Sequence, residues 1–301
     1  MESDIGDHEP ILNAMTFDIE DWFHLVEIEA VADPAQWAGF PSLVEERTRF
    51  ILRVLDEHKT RATFFVLGWV AERYPGIVGE IAARGHEVAS HGHMHGPVFS
   101  QKPAEFRDDV RRSLDAIARG TDRPVRGYRA PSFSITPGTE WAFDVLAELG
   151  FAYDASLFPG SRGHGGYPCP EGPHTLTAPS GATLAELPMS VGRFGPVRTA
   201  YSGGGYLRLL PGWMIRRGVA QSHRAGRPVV AYLHPRDFAP DGPRVPMPMI
   251  RRFKCYVGLR SAERKLRLLL DRYRWGTCED VLRARVGYDP ARTSPVPPTK
   301  G

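Results

Sequence analysis

The feature that most constrains the fold is a regular alternation of short apolar runs with longer amphipathic segments. The apolar runs predict strands over 11–19, 62–68, 86–92, 125–133 and 152–158. Helical spacing marks the segments between them, which are 42–59, 70–85 (divided by Pro75), 103–120 and 136–150. This alternation favours a parallel sheet with helices outside it. Five such units fit a closed or nearly closed barrel better than a short open sheet, although a doubly wound sheet has the same periodicity.

Polar residues with catalytic chemistry fall where these strands are predicted to end. In parallel α/β folds the active site lies at the carboxyl ends of the strands. The residues at those ends are Asp18, Glu20 and Asp21 at the end of the first strand, His91 and His95 after the third, Arg129 at the end of the fourth, and His234 at the end of the strand in a late run over 227–238. This placement favours one constellation over scattered surface residues.

The stretch "SHGHMH" (90–95) puts three histidines into six positions. His91 and His95 are four residues apart, so on a helical turn they would share one face and could bind one metal ion. His93 would then point away, which predicts a structural or rim residue. A histidine-rich polar loop is the alternative interpretation.

Two neutral imidazoles and one carboxylate make a three-ligand metal site with a position left for water. A second carboxylate kept off the metal could take a proton from that water, and a histidine on the opposite rim could protonate a leaving group. An arginine could hold the base carboxylate in place. The residues at the predicted strand ends supply every member of this set.

Four stretches in order resemble the motifs of polysaccharide deacetylases of the NodB-homology type, carbohydrate esterase family 4. "TFDIEDWF" (16–23) resembles the first aspartate motif, and "SHGHMH" resembles the H-x-x-x-H metal motif. "RAPSF" (129–133) resembles the arginine motif, and "YLHP" (232–235) resembles the late histidine motif. Two further stretches, "YSGGGYLRLLP" and "FKCYVGLRSAERKLRLLLDRYRWGTCEDV", resemble a narrower subgroup associated with bacterial exopolysaccharide loci and the exosortase system.

The resemblance implies an α/β fold, a deformed (β/α) barrel of about seven parallel strands. The catalytic domain is expected over 12–238, a short helical C-terminal extension packed on the barrel over 239–288, and a disordered tail over 289–301. Leu266, Leu269, Leu270 and Tyr273 are at helical spacing and should pack on the barrel. The same helix is strongly basic, so it could bind an acidic glycan or carrier phosphate, or present only a solvated face.

The resemblance also implies the roles of the site residues. Asp18 would be the base, Arg129 its partner and His234 the acid, with Asp237 able to orient His234. The metal ligands would be His91, His95 and one acid, either Glu20 or Asp21, because Asp18 is not followed directly by a second aspartate. Zinc suits this donor set, and cobalt, nickel or iron(II) would also fit.

Substrate contacts are expected from Trp22, Pro131 and Phe133, which lie within the motifs. Trp22 could stack on a sugar ring or pack in the core. His24 is predicted to be a surface residue, and Asp154 a structural one. The function implied is metal-dependent removal of N-acetyl groups from sugars of a bacterial exopolysaccharide or its precursor. Hydrolysis of a non-sugar amide such as a cyclic imide or ureide, and non-catalytic glycan binding, are the alternatives.

Charge, cysteine spacing and hydropathy argue against several other classes of protein. The net charge of +3 is too small to indicate a nucleic-acid partner. Cys169, Cys255 and Cys278 form no C-x-x-C pair, which argues against a disulfide framework or thiolate zinc site. No apolar stretch approaches the ~18 residues of a transmembrane helix. The acidic N-terminus lacks the features of a secretory signal, so the predicted location is cytoplasmic.

Overall fold

The computed structural model describes residues 10–25, 28–160 and 166–289. The strands are β1 (Asn13–Ile19), β2 (Thr63–Val66), β3 (Glu87–Ser90), β4 (Gly127–Tyr128), β5 (Tyr153–Asp154), β6 (His174–Thr177), β7 (Thr183–Glu186), β8 (Val191–Phe194), β9 (Val197–Ala200), β10 (Val230–Leu233) and β11 (Trp275–Gly276). The α-helices are α1 (Val44–Glu57), α2 (Gly68–Arg73), α3 (Pro75–Ala83), α4 (Pro103–Ile117), α5 (Trp141–Glu148), α6 (Gly204–Leu209), α7 (Gly212–Arg224), α8 (Met249–Tyr256), α9 (Ala262–Arg272) and α10 (Cys278–Val286).

The main sheet has the strand order β10-β1-β2-β3-β4-β5-β7-β6. Neighbouring strands from β10 to β7 are parallel, and the edge strand β6 pairs with β7 in the antiparallel direction. The sheet curls into a half-barrel with the helices around it, which confirms the predicted deformed (β/α) barrel. β8 and β9 form a separate hairpin.

The fourth and fifth strands are much shorter than their apolar runs predicted, with two residues each. After β4 the chain reaches Pro131, which has no backbone N–H to donate to a neighbouring strand. Pro131 opens a 3₁₀ turn in which Ser132 and Phe133 have positive φ angles of 56° and 53°. This turn begins directly after Arg129 and Ala130, which follow the end of β4.

The alternation of side chains along β1 decides which of its residues face the site. Met15, Phe17 and Ile19 pack with the helices in the outer core. Thr16 and Asp18 lie on the opposite face, because successive side chains of a strand point to opposite sides. The whole strand is buried, so Asp18 is a carboxylate on the interior face of the half-barrel.

The C-terminal segment packs on this sheet. Leu266, Leu269 and Leu270 of α9 are buried in the outer core with Tyr273 against them, as the helical spacing predicted. Lys265 is buried rather than outward, because its Nζ donates to the carbonyl oxygens of the last turn of α6 and the residue beyond it, at 2.6–2.9 Å. Of the tail predicted to be disordered, residues 290–301 lie outside the described residues. Within the described ranges, no helix is both long enough and apolar enough to cross a membrane.

A buried pair of carboxyl groups joins β5 and β7. Asp154 and Glu186 are opposite one another in the parallel register, and both are fully buried. Asp154 accepts hydrogen bonds from the backbone N–H and hydroxyl of Ser156 at 2.9 and 2.6 Å. Burial, and then the neighbouring Asp154, raise the pKa of Glu186 well above its ordinary value.

This pair predicts a pH dependence of stability. A raised carboxyl pKa means that the native state binds more protons than the unfolded state, so stability falls as pH rises above the unfolded value of 4.5. Glu186→Gln removes that loss and can still accept the hydrogen bond from the backbone N–H of Leu157. We therefore expect the variant to gain about 2 °C or more in Tm over wild type between pH 5 and pH 8.

Thermal unfolding of both proteins across that pH range measures the effect. Glu29→Gln, at an exposed carboxyl on a surface 3₁₀ helix, is the matched control and should leave the difference near zero. A Tm difference between Glu186→Gln and wild type that does not grow with pH would contradict the assignment.

Candidate active site

Glu20, His91 and His95 meet at the carboxyl ends of β1 and β3. Glu20 directly follows β1, and His91 directly follows β3. All three are buried, and one potential ligand atom from each lies within 4.8 Å of the others. The two imidazole rings stand edge to face with their centres 5.3 Å apart. The structure therefore brings together the two predicted histidines and one of the two predicted acids.

The histidines do not meet through a helical turn, so that part of the prediction was wrong. Residues 91–97 form a loop in which Gly92 and His95 have positive φ angles of 72° and 56°. Asp109 of α4 holds this loop, since its carboxylate accepts the backbone N–H groups of His93 and Met94 at 2.7 and 3.0 Å. A carboxylate distant in sequence thus replaces the hydrogen bonds that a helix would have supplied.

His91 is prepared to act as a neutral ligand. Its Nδ1 lies 2.8 Å from the carbonyl oxygen of Arg129, which can only accept, so Nδ1 carries the proton and the lone pair is on Nε2. That Nε2 lies 4.0 Å from Oε2 of Glu20. Burial lowers the pKa of His91 to about 4, so the ring is neutral at neutral pH. Such a bond from the second ring nitrogen is typical of metal-ligating histidines.

Glu20 supplies an ionised carboxylate to the same point. Its Oε2 contacts Nε2 of His95, yet it is buried without an aligned hydrogen-bond donor from the described residues. Burial alone would raise the pKa of Glu20, but the contact with His95, and then the nearby His234 and Arg236, hold it well below its usual range. A buried carboxylate beside two imidazoles is a donor set that suits zinc and related divalent ions.

Asp21, the other predicted acid, faces away from the histidines. Its carboxylate accepts from the hydroxyl of Ser42 at 2.5 Å and from the backbone N–H groups of Leu43 and Val44 at 3.1 and 3.3 Å. These groups precede and begin α1, so Asp21 satisfies the free donors at that helix end. The geometry thus favours Glu20 over Asp21 as the carboxylate ligand.

Asp18 is held by a fully buried arginine. Nη1 of Arg129 lies 2.7 Å from Oδ1 of Asp18 and 2.7 Å from the hydroxyl of Thr16, while its Nε donates to the carbonyl of Ala155 at 3.2 Å. The guanidinium also lies 4.0 Å from the ring centre of Phe65. Oδ1 of Asp18 is therefore bound, and Oδ2 faces the rest of the site.

His234 lies opposite, on the loop after β10. Its Nε2 is 3.8 Å from Oδ2 of Asp18 and 3.9 Å from Oε1 of Glu20. Its Nδ1 is 3.0 Å from Oδ2 of Asp237, which also accepts the backbone N–H of His234 at 2.9 Å. Asp237 thus fixes the ring in the way that the sequence suggested.

Arg208 is a residue of this site that sequence reasoning missed. Its Nε lies 3.0 Å from Oδ1 of Asp237, and its Nη1 donates to the carbonyls of Cys255 and Val257 at 2.8 and 2.9 Å. Burial would raise the pKa of Asp237, but Arg208 and then His234 hold it far below its usual value. No local pattern around Arg208 signals this contact, because only the fold brings α6 to the end of β10.

The predicted substrate residues lie on the segments that follow β1 and β4. Trp22 is half-buried, packs on Phe23 and Phe40, and donates its indole N–H to the carbonyl of Pro41 at 2.9 Å. Pro131 and Phe133 are buried, and the ring of Phe133 stands edge-on to Tyr232 with centres 5.0 Å apart. Their role in binding substrate stays a prediction.

The other histidines of this region pack in the core. His93 lies outside the triad with its Nε2 3.5 Å from Glu72, and a Cβ at Gly68 would come within 2.4 Å of its ring. His24 is fully buried, not on the surface as predicted. It accepts the backbone N–H of Asp21 at 2.8 Å, and burial lowers its pKa to about 3. A neutral ring can pack among aromatic side chains, a possibility that the sequence pattern did not reveal.

The Asp18–Arg129 pair predicts a large loss of stability on substitution. Removing one partner of a buried ion pair leaves the other charge without compensation, which costs about 3–5 kcal/mol. We expect Arg129→Gln to lower the free energy of unfolding by about 3 kcal/mol, as measured by denaturant titration. The exposed pair of Arg61 with Asp280 is the matched control, and Arg61→Gln should cost less than about 1 kcal/mol. Equal losses in the two variants would argue against a buried, paired charge.

Comparison with known proteins identifies two regions. Residues 14–153 match the polysaccharide deacetylase family, and residues 155–283 match a domain of unknown function, DUF3473. A chitooligosaccharide deacetylase of Bradyrhizobium sp. (strain ANU 289) is 37% identical over 98 residues, which are 32% of this chain and 42% of that protein. A peptidoglycan-N-acetylglucosamine deacetylase of Bacillus cereus (strain ATCC 14579) is 35% identical over 92 residues, which are 31% of each protein. The chain thus matches less than half the length of these curated relatives.

The fold extends over more of the chain than these sequence matches. A crystal structure of a "putative polysaccharide deacetylase" from Mycobacterium smegmatis superposes with a TM-score of 0.61 at 22% identity, and covers 96% of this chain and 93% of that one. At this identity the likeness concerns the fold alone. The family match and the sequence relatives together identify residues 14–153 of this chain as a polysaccharide deacetylase domain of the NodB-homology type.

Proposed function

We propose that this protein is a metal-dependent hydrolase that removes N-acetyl groups from N-acetylated sugars. The observation that carries the proposal is that candidate metal ligands, a candidate base and a candidate acid meet at the carboxyl end of the sheet. A histidine–histidine–glutamate cluster lies beside the Arg129-bound Asp18 and the Asp237-bound His234, whose Nε2 is 3.8 Å from Asp18 and 3.9 Å from Glu20. The curated relatives named above are deacetylases of chitooligosaccharide and of peptidoglycan N-acetylglucosamine, which supports an N-acetylated glycan as substrate.

Glu20, His91 and His95 would hold the metal ion. Zinc fits this donor set, and cobalt, nickel or iron(II) share the preference for imidazole with carboxylate. A divalent ion bound there would lower the pKa of a water molecule and polarise the acetyl carbonyl. The neutral state of His91 and the ionised state of Glu20 are the states that metal binding requires.

Asp18 would take the proton from the attacking water. Arg129 occupies Oδ1 of Asp18, so the proton would go to Oδ2, which faces the site. Because Arg129 is also bound to Thr16 and to the carbonyl of Ala155, the carboxylate is held in one orientation. This rigidity keeps the base aimed without any movement during the reaction.

His234 would donate a proton to the departing nitrogen. The hydroxyl of the water bonds to the carbonyl carbon, the carbon–nitrogen bond breaks, and the nitrogen leaves as a sugar amine with the proton from His234. The products are acetate and the free amine. Asp237 binds Nδ1 of His234, so its Nε2 points into the site, and Arg208 fixes Asp237 in turn.

The catalytic unit proposed here spans 12–238, with 239–288 as an extension packed on it. It crosses the boundary between the two matched regions, because His234 and Asp237 lie within 155–283. The proposed substrate is a bacterial exopolysaccharide or its precursor. A cytoplasmic location, as the sequence predicted, would favour the precursor. Trp22, Pro131 and Phe133 remain the proposed substrate contacts.

Acetate release from short chitooligosaccharides, with zinc, cobalt, nickel or iron(II) added to metal-depleted protein, tests the proposal. We expect acetate in amounts equal to the free amine, and only when metal is present. A protein that binds these sugars but releases no acetate with any of the metals would be a glycan-binding protein. Turnover of a cyclic imide or ureide alone would identify the substrate as a non-sugar amide.

The same assay tests the proton carriers. Asp18→Asn and His234→Ala should retain the metal but lower kcat roughly 10²–10⁴-fold, the usual effect of losing a general base or acid. Matched controls are Asp108→Asn on the exposed side of α4 and His174→Ala on β6, and both should keep wild-type rates. Near wild-type turnover by either site variant would rule out its assigned role.

A further inference from the structure

Helix α8 exposes its apolar side chains to solvent. Met249, Ile250 and Phe253 are 85%, 73% and 56% exposed, and the helix has no buried residue. At helical spacing these three side chains lie on one side of the helix. A helix on the surface of a globular protein usually turns that side to the core. α8 instead turns its apolar side to solvent.

Specific bonds hold α8 in this orientation. Arg208 donates to the backbone carbonyls of Lys254 and Cys255 at the end of the helix, at 3.2 and 2.8 Å. The hydroxyl of Tyr256 accepts the backbone N–H of Val245 at 2.8 Å. The C-terminal end of the helix is therefore fixed to the body of the protein, and Met249, Ile250 and Phe253 project outward.

Cations flank the outward apolar side chains. Arg252 and Lys254 are exposed, and by helical spacing they lie on the two sides of the apolar stripe. The surrounding segment 242–262 contains five cationic residues and no acidic residue. Apolar side chains flanked by long cationic ones are the chemistry of a helix that lies in a membrane interface, with the cations on lipid phosphates.

A second copy of the chain fits this surface poorly. A two-fold contact would place the same patch on both sides, so the cations of one copy would face the cations of the other. An anionic bilayer instead offers negative charge for the cations and an apolar boundary for Met249, Ile250 and Phe253.

α8 also lies beside the candidate active site. Cys255 and Tyr256 line a small cavity together with Trp22 and Arg236. Arg236 places its Nη2 3.8 Å from Oε1 of Glu20. The outward face of α8 therefore belongs to an element that borders the site.

We propose that α8 docks this protein on the surface of a bilayer that contains anionic lipid, with Met249, Ile250 and Phe253 inserted at the interface. The proposal goes beyond the deacetylase activity and does not depend on it. It identifies a membrane surface as a binding partner of this chain.

Co-sedimentation of the full chain with vesicles tests the docking. The protein should bind vesicles of phosphatidylcholine mixed with phosphatidylglycerol. Binding to phosphatidylcholine alone should be roughly tenfold weaker or more, since several cations meet the anionic leaflet. Added salt should weaken binding to the mixed vesicles as well. Equal binding to both vesicles at low salt, or no binding to either, would overturn the proposal.

Substitutions in α8 test whether this helix makes the contact with the vesicle. Replacing Met249, Ile250 and Phe253 together by Gln should abolish vesicle binding, while acetate release from short soluble sugars and the circular dichroism spectrum stay unchanged. Phe99 and Val197 are exposed apolar residues elsewhere, and their replacement by Gln is the matched control, which should still bind. A triple variant that binds vesicles as wild type does would overturn the proposal. So would a wild-type dimer that the triple variant dissociates, if no vesicle binding is seen, because a second copy would then cover α8.

Discussion

The candidate site depends on one buried cation, Arg129. Its guanidinium holds Asp18, and its backbone carbonyl holds the ring of His91. The proposed base and one proposed metal ligand are therefore positioned by the same residue, which directly follows β4. A charge this deeply buried needs an opposite charge beside it to be tolerated. Asp18 supplies that charge, and Thr16 and the carbonyl of Ala155 accept further hydrogen bonds, so the pair that stabilises Arg129 also positions the proposed base.

A second buried cation, Arg208, positions the proposed catalytic acid on the opposite side of the site. Arg208 pairs with Asp237, which binds His234. The same guanidinium is held by carbonyl oxygens around the end of α8. The C-terminal segment is thereby connected to the proposed catalytic acid through three polar contacts in series. This connection gives the segment that matches a domain of unknown function a structural part in the site, in addition to its proposed contact with a bilayer.

Much of the fold and of the site was predictable from the sequence, because both rest on local patterns. The alternation of apolar and amphipathic runs indicated the curled parallel sheet, and the strand ends indicated where its polar residues gather. The sequence could not choose between Glu20 and Asp21. That choice depends on the direction of each side chain after β1, and on the free N–H groups at the start of α1 that bind Asp21.

The parts that could not be predicted involve residues distant in sequence. His91 and His95 meet because Asp109 holds their loop, whereas a spacing of four residues suggested a helix. Burial of His24 likewise depends on Trp37 and Trp69, with ring centres 4.5 and 4.9 Å away, and not on its neighbours in the chain. Residue spacing gives information about neighbours in the sequence. It could not predict these contacts, because they join separate elements of the fold.

The most direct measurement is anomalous diffraction at the zinc edge from zinc-soaked crystals of this protein. We expect a single strong peak between Glu20, His91 and His95, with ligand distances of about 2.0–2.2 Å to one carboxylate oxygen and two imidazole nitrogens. Asp21 should remain bound to the start of α1. A peak ligated by Asp21 in place of Glu20, or no peak between the two histidines at saturating zinc, would contradict the proposed metal site.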